Sequence, residues 1–414
     1  MKDAVVPSIA KKERTALMIN LCLDGGSLII IVWLVLAAIF AGVPSVYYLQ
    51  MKKWSIKKWE LDIAQNYQPS IAVLVPAHNE EKTIHLKLEN LNKVEYPAAK
   101  IETVIVNDAS TDGTLSAIRD FINKRSNLKI KLFDSKKRLG KTGCLNQALK
   151  SVNADIVIIS DADCFWPSDI LRKALPYLSD PKVGAITVRE LLLNSYGSWV
   201  TEGEQFYNNT VQSIRIGESK IYSTIFFQGG FAAFKREFLQ QFNNETDDSG
   251  TALDIIQKHG RSLLIPESGF YTLAPETWGS KVSLKIRRAG HLQNLLIRCL
   301  KLLLRKELVL PMKIAIPEAF MFLFNPFLLV FLAALIPFVL SQYPVSLLIV
   351  VPLFSIIMMI KKTRVTLVEA LQSNVILFFA VSYLLANKTI GLWKTSQESR
   401  DFLTEEILRE KKLI

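Results

Sequence analysis

The sequence predicts an α/β domain with a mostly parallel sheet, inserted between transmembrane α-helices. Three observations carry this. Residues 25–51 and 319–360 contain no charged side chain, and each stretch exceeds the roughly 20 apolar residues that span a bilayer. Over residues 70–275, short β-rich runs alternate with helical runs, the pattern of parallel strands joined by crossover helices. One run, Ile156-Val-Ile-Ile-Ser-Asp161-Ala-Asp163, ends abruptly in two carboxylates. In an extended chain the i, i+2 spacing puts both on one face. Carboxylates in the crevice beyond a strand's carboxyl end suit a hard cation, and capping of the segment at Trp166-Pro-Ser168 is the competing reading.

Taken in order, residues 1–26 form a mixed, partly basic lead, and residues 27–49 a first transmembrane helix, too long for a signal-peptide core and read as a retained anchor. Lys52, Lys53, Lys57 and Lys58 follow at once and favour a cytoplasmic exit, against Lys11, Lys12 and Arg14 on the other side. The α/β domain occupies 65–278, with strands expected at 71–75, 102–106, 129–133, 155–160 and 183–188, and helices at 81–94, 114–124 and 142–152. Residues 279–312 are a basic amphipathic region: Lys281, Lys285, Arg287, Arg288, Arg298, Lys301, Arg305 and Lys306 alternate with Leu and Ile, and no acid interrupts them. That composition suits a membrane surface; a solvated helix face is the plainer alternative.

Residues 313–387 hold two to three C-terminal transmembrane helices. The 319–360 run is long enough for two, with a turn at Ser341-Gln-Tyr-Pro344 and a cytoplasmic loop at Lys361-Lys-Thr-Arg364. The third segment, 367–387, carries Glu369, Gln372, Ser373 and Asn374, and a basic cytoplasmic tail (388–414, with Lys388, Lys394 and Arg400) follows it. Both flanks favour the inside, which leaves a re-entrant path open. The chain has 50 Lys+Arg against 38 Asp+Glu, a net +12; because the basic residues cluster beside the apolar spans, lipid rather than nucleic acid is the expected partner. Cys22, Cys144, Cys164 and Cys299 lie far apart with no CxxC pair, so neither a zinc site nor a disulfide framework is expected, and ordinary thiols in a reducing compartment are.

Several further motifs fall at strand ends. Val75-Pro76-Ala77-His-Asn-Glu80-Glu81 stops a strand and opens a helix. Asp108, in Val106-Asn-Asp108-Ala-Ser-Thr-Asp112-Gly113, stands where a base or ribose would be met, while its neighbours cap the next helix. Gly140-Lys141-Thr-Gly143 offers close backbone approach and a cation for phosphate but lacks P-loop spacing, so a charged turn is an equal reading. Gln228-Gly229-Gly230 follows an apolar run and lets a ligand touch backbone. Thr246-Asp247-Asp248-Ser249 reads as an acid-rich helix N-cap.

The order of these elements resembles the membrane-embedded family 2 glycosyltransferases, the group that includes hyaluronan, chitin, cellulose and poly-N-acetylglucosamine synthases. The resemblance covers about residues 65–310 and the placement of the apolar helices. It implies the nucleotide-sugar-binding fold called GT-A, with Pro76, Ala77 and Glu80 lining a nucleoside pocket, Asp108 holding the base and Lys141 near the phosphates. Asp161 would contact ribose or metal, Asp163 would ligate Mg²⁺ or Mn²⁺, and Gly229 and Gly230 would floor the acceptor site. Asp248 matches the last acid of the family's Thr-Glu-Asp motif, the general base. The family's processive Gln-x-x-Arg-Trp element is replaced by Leu284-Lys-Ile-Arg287-Arg288: an arginine able to clamp a diphosphate is kept, but the glutamine and tryptophan are not.

The expected activity is therefore inverting, metal-dependent transfer from a nucleotide-sugar, a UDP-sugar first, to a polysaccharide or lipid-linked acceptor. The enzyme would be a multi-pass protein of the cell membrane with its catalytic domain in the cytoplasm. The departure at Arg287 and Arg288 leaves polymer extension and single transfer level. A membrane nucleotidyltransferase and a non-catalytic nucleotide-binding membrane subunit are the alternatives. The acid at 248 counts against the first, and the intact set Asp161, Asp163 and Asp248 against the second. The absence of GxGxxG after the first strand disfavours a dinucleotide oxidoreductase.

Overall fold

The computed structural model describes residues 25–124, 129–195, 197–342, 347–386 and 403–414. Most of the N-terminal lead, part of the Ser341–Pro344 turn and residues 388–402 of the tail lie outside these. A long helix, α1 (Gly25–Ser55), leads into a seven-stranded sheet: β1 (Ile71–Ala77), β2 (Ile101–Asp108), β3 (Ile130–Ser135), β4 (Ile156–Ile159), β5 (Val183–Leu192), β6 (Ala232–Lys235) and β7 (Arg261–Thr272). Its order is β3-β2-β1-β4-β6-β5-β7, and only β6 runs antiparallel to its neighbours. Between strands lie α2 (Ile84–Asn92), α3 (Thr114–Lys124), α4 (Gly140–Leu149), α5 (Ile170–Ala174), α6 (Trp199–Ile221) and α7 (Ser249–Gln257).

The unbroken apolar runs follow from burial on both faces. In β1, Ile71, Val73 and Val75 face a layer with Ile84, Leu88 and Ile118, while Ala72 and Leu74 face Cys144, Leu145 and Ala148 on the other side. Two strands were not expected. β6 has four residues, directly after the glycines at 229 and 230. β7 carries Pro266 and Gly269, which the sheet absorbs as a bulge, since Val188 pairs with Ile265 and the next residue, Arg189, pairs with Gly269.

Two other boundaries shift. The helix expected at 81–94 begins only at Ile84, leaving Glu80 and Glu81 in a loop. That expected at 142–152 begins at Gly140, which puts Lys141 in the first turn of α4.

Beyond the sheet, α8 (Trp278–Leu304) is one continuous helix carrying most of the basic amphipathic segment. α9 (Met312–Ala319) passes through a π-helical turn at Phe320–Phe324 into α10 (Asn325–Gln342). α11 (Leu347–Met359), α12 (Lys361–Leu385) and a short α13 (Glu405–Glu410) follow. Among the described residues, three helices are long and apolar enough to cross a membrane: Leu28–Ser55, Met312–Gln342 and Lys361–Leu385. Of the two spans expected within 319–360, the described part of the second is a helix of 13 residues, and the segment that read as the weakest is a helix of 25.

α6 seats the α/β domain on these helices. Arg215 pairs with Glu218 at 2.9 Å and with Glu318 of α9 at 2.6 Å, and the Tyr47 hydroxyl of α1 donates to Glu218 at 2.7 Å. At the other end of α6, Glu204 meets Lys281 of α8, which also pairs with Glu369 of α12 at 2.7 Å. Two glycines permit the approach: a Cβ at Gly217 would overlap the backbone of Met51, and one at Gly203 the Glu369 carboxylate. Alanine favours a helix over glycine by about 1 kcal/mol, but forced overpacking costs about 1–3 kcal/mol. Gly217→Ala is therefore expected to lower the thermal midpoint of the purified protein. Gly203→Ala, whose obstacle is a side chain able to turn aside, should lower it less.

Candidate active site

The parallel strands end at one edge, and the loops there are laced together. The Asn79 side chain accepts from Thr111 N at 2.8 Å, Asn79 N donates to Ser110 Oγ, and Glu81 accepts from Gly113 N at 2.8 Å. Asn79 and Ala109 both hold positive φ, 55° and 51°, a conformation that costs non-glycine residues free energy and is kept where surrounding contacts over-determine it. Pro76 and Ala77 are buried within β1. Glu80 is 1% exposed, and its carboxylate accepts from Thr83 Oγ1 at 2.7 Å. These three shape the loop; the accessible side chains beside them are His78 and Asn79.

Asp108 also departs from expectation. It is 1% exposed, its two oxygens accept from Leu139 N (2.6 Å) and Gly140 N (3.1 Å), and Arg138 Nε lies 3.1 Å away. The carboxylate is satisfied by the free amides at the start of α4, so it sets the angle of that helix and presents no face to a base. The consequence falls on Lys141, one residue inside α4. Its Nζ lies 2.8 Å from Asp161 and 3.0 Å from Asp247. Burial opposes the lysine's charge, but Asp161, Asp247 and Asp248 outweigh it and hold its pKa well above the usual value.

Asp161, Asp163 and Cys164 present ligand atoms within 4.8 Å of one another. Asp163 is exposed and Cys164 buried. Burial, with the neighbouring carboxylates, keeps the Cys164 thiol protonated far above neutral pH. The usable donors are therefore carboxylate oxygens, a set suited to Mg²⁺ or Mn²⁺ rather than to a thiolate-seeking ion. Beneath them Lys87, absent from the sequence-level site, is fully buried, donates to Ser160 Oγ at 2.7 Å and to the Cys164 carbonyl at 2.5 Å, and has its pKa lowered by burial to about 8. It grips both sides of the Asp161-Ala-Asp163 turn. Its signal was a lysine inside the apolar stripe of α2, in register with Ile84, Leu88 and Leu91.

Asp248 caps α7, accepting from Ser249 N. Burial and then the charge of Asp247 raise its pKa to about 6, against the pull of Lys141. From α8, both Arg287 and Arg288 reach the site. Burial and the Arg288 charge lower the Arg287 pKa, against Asp161 and Asp163; Arg288 keeps an exposed surface, and the desolvation it does suffer is outweighed by Glu190, Asp161 and Asp163, which raise its pKa. Glu190, at the end of β5, was also missed: it accepts from Gln228 Nε2 at 2.8 Å, and burial raises its pKa.

The two glycines part company. A Cβ at Gly229 would overlap Lys141 Nζ and Asp161, placing this residue under the charge cluster, whereas one at Gly230 would overlap the Phe270 ring. Gly230 is buried, and its carbonyl accepts from Trp166 Nε1 at 2.7 Å; it is a packing position and not an acceptor floor.

A mixed sheet whose parallel half ends in these carboxylates is the GT-A architecture of glycosyltransferases. Residues 72–242 match the family described as glycosyl transferase family 2. A mannosyltransferase from Pyrobaculum calidifontis, solved in complex with GDP-Man and Mn²⁺, is 30% identical and superimposes with a TM-score of 0.73, covering 87% of this chain and 99% of that one. The chain belongs to glycosyl transferase family 2. Among curated relatives, the beta-monoglucosyldiacylglycerol synthase of Synechocystis sp. is 34% identical over 136 residues, 33% of this chain and 28% of the synthase. The poly-beta-1,6-N-acetyl-D-glucosamine synthase of Staphylococcus epidermidis is 25% identical, over 62% of this chain and 63% of its own length. The chain thus spans under a third of the first relative and less than two thirds of the second.

Gly229→Ala is expected to displace Lys141 and Asp161 and to lower the rate of sugar transfer by about 100-fold, the typical cost of misplacement near 1 Å, with the fold kept. Gly230→Ala should act instead on the melting temperature. Initial rates and thermal melts on the two variants separate these outcomes.

Proposed function

We propose that the protein is an inverting, metal-dependent glycosyltransferase that works at a membrane surface, moving a sugar from a nucleoside-diphosphate donor to a lipid-borne or glycan acceptor. The observation that supports it most is the Lys141 bridge. It draws the Asp161-Ala-Asp163 turn and the Asp247-Asp248 helix start into one cluster, as an in-line displacement requires. A divalent ion held by Asp163 with Asp161 would supply neutralisation of the departing diphosphate. Lys141, Arg287 and Arg288 supply positive charge to the same oxygens. Asp248 takes the proton of the acceptor hydroxyl as that oxygen attacks the anomeric carbon from the face opposite the diphosphate. One displacement of this kind inverts the carbon.

A UDP-sugar is the donor expected from sequence, and the whole-length likeness to a protein solved with GDP-Man sets GDP-mannose beside it. A lipid-side acceptor is favoured by α8. It carries Arg287 and Arg288 at the site, while Gln293 further along donates to the carbonyls of Phe322 and Leu377 in the apolar region. The domain would face the cytoplasm, with the basic residues after α1 on that side.

The direct test incubates the protein, reconstituted in lipid, with Mn²⁺ and a panel of UDP- and GDP-sugars, and reads products by mass spectrometry. A single added sugar is expected; long chains would make it a polymerase, and no product from any donor would defeat the proposal. Asp248→Asn is expected to lower kcat by about 10²–10⁴-fold while calorimetry shows donor binding retained. Since the base works ionised and its pKa is pushed up to about 6, activity should fall as pH drops through that value. Lys141→Met removes a cation that lowers it, so the residual activity should show its acid limb at higher pH.

A further inference from the structure

α12 meets the length and composition of a spanning helix, yet its contacts hold it on one face. It starts beside the catalytic domain, with Lys361 Nζ 3.0 Å from Glu202 of α6. Two turns on, Glu369 pairs with Lys281 of α8 at 2.7 Å. α12 then runs alongside α8 in the same direction: Val282, Ile286 and Ala289 pack with Ile376, Leu377 and Ala380, and Gln293 Nε2 donates to Leu377 O at 2.9 Å. α8 carries Arg298 and Lys301 beyond that point, and such a helix does not enter hydrocarbon. A helix that tracks it stays at its depth.

The chain returns to the domain after α12. Leu403, Leu408 and Leu413 are buried with Leu86 and Phe165, and Asn90 Nδ2 donates to Leu413 O at 2.8 Å. Only residues 386–402 separate α12 from this seat, and they include Lys388, Lys394, Glu398, Arg400 and Asp401. Only an apolar helix crosses hydrocarbon as a single strand of chain, and the charges in this segment forbid that crossing. By contrast α10 and the stretch 343–360 have 18 residues each and no charged side chain, the length at which an apolar run reads as a spanning segment. At the heads of α6 and α8, Trp199 and Trp278 stack with ring centroids 5.9 Å apart and stay 62% and 39% exposed. Paired indoles of this kind suit the headgroup level.

Resting on the membrane reading above, we propose that α12 does not cross the bilayer. It lies in the leaflet on the catalytic side, its outward stripe of Leu371, Val375, Phe379 and Tyr383, each 38–50% exposed, occupied by lipid. The chain then crosses three times, through α1, α10 and the 343–360 return, and residues 403–414 share the catalytic face.

The test uses single cysteines in full-length protein reconstituted in sealed vesicles of known orientation, probed with an impermeant maleimide. Cys22→Ser provides the background, the remaining native cysteines being buried. Asn123→Cys on the domain and Gln342→Cys at the end of α10 are expected to label from opposite faces. If they label from the same face, the membrane reading itself fails, and this proposal with it. Given opposite faces, Lys388→Cys is expected to label with Asn123→Cys. Labelling with Gln342→Cys, or from neither face, would overturn the placement of α12.

Discussion

The ammonium of Lys141, held between Asp161 and Asp247, is the contact on which the site depends. Three independent elements meet there: the first turn of α4, the turn after β4 and the start of α7. Each is fixed by something behind it. Asp108 holds the α4 terminus through two backbone amides, Lys87 grips the β4 turn from below, and Asp248 caps α7 with its own carboxylate. Gly229 is the empty volume that lets the lysine in. Three carboxylates crowded at the ends of strands and a helix would repel one another; one cation placed between them lowers that repulsion.

The same logic recurs where the α/β domain meets the apolar helices. Arg215, Glu218, Glu318 and Tyr47 form one buried cluster, and Lys281, Glu204, Glu369 and Lys285 another. Buried ion pairs add little net stability over apolar packing, but leaving one partner unmatched costs several kcal/mol. Their effect is on register: a slide of α6 along α1 or α12 would leave charges unpaired at both ends.

Much of the parallel half was legible because strands buried on both faces must be apolar throughout: β1 and β4 contain no polar residue, and β2 is apolar from Val104 to Val106 between polar ends. β6 and β7 were not, because a four-residue strand has no period and Pro266 and Gly269 at the bulge interrupt the strand pattern of β7. Residue identity located the charged turns but did not say which way each side chain faces. Asp108 and Glu80 look like ligands in sequence and are consumed by backbone amides and Thr83, and Gly230 serves Phe270. Lys87 and Glu190 were overlooked for the opposite reason, as charges embedded in patterns that otherwise signal core.

α8 is a single rod of 27 residues, about 40 Å long, with two arginines in the field of Asp161 and Asp163 and a glutamine hydrogen-bonded to two carbonyls of the apolar region. A rod without a hinge transmits displacement undiminished. Solvent conditions that loosen the apolar helices would therefore detune the arginines while every strand of the sheet remained folded, so a preparation that passes a folding assay can still be catalytically silent.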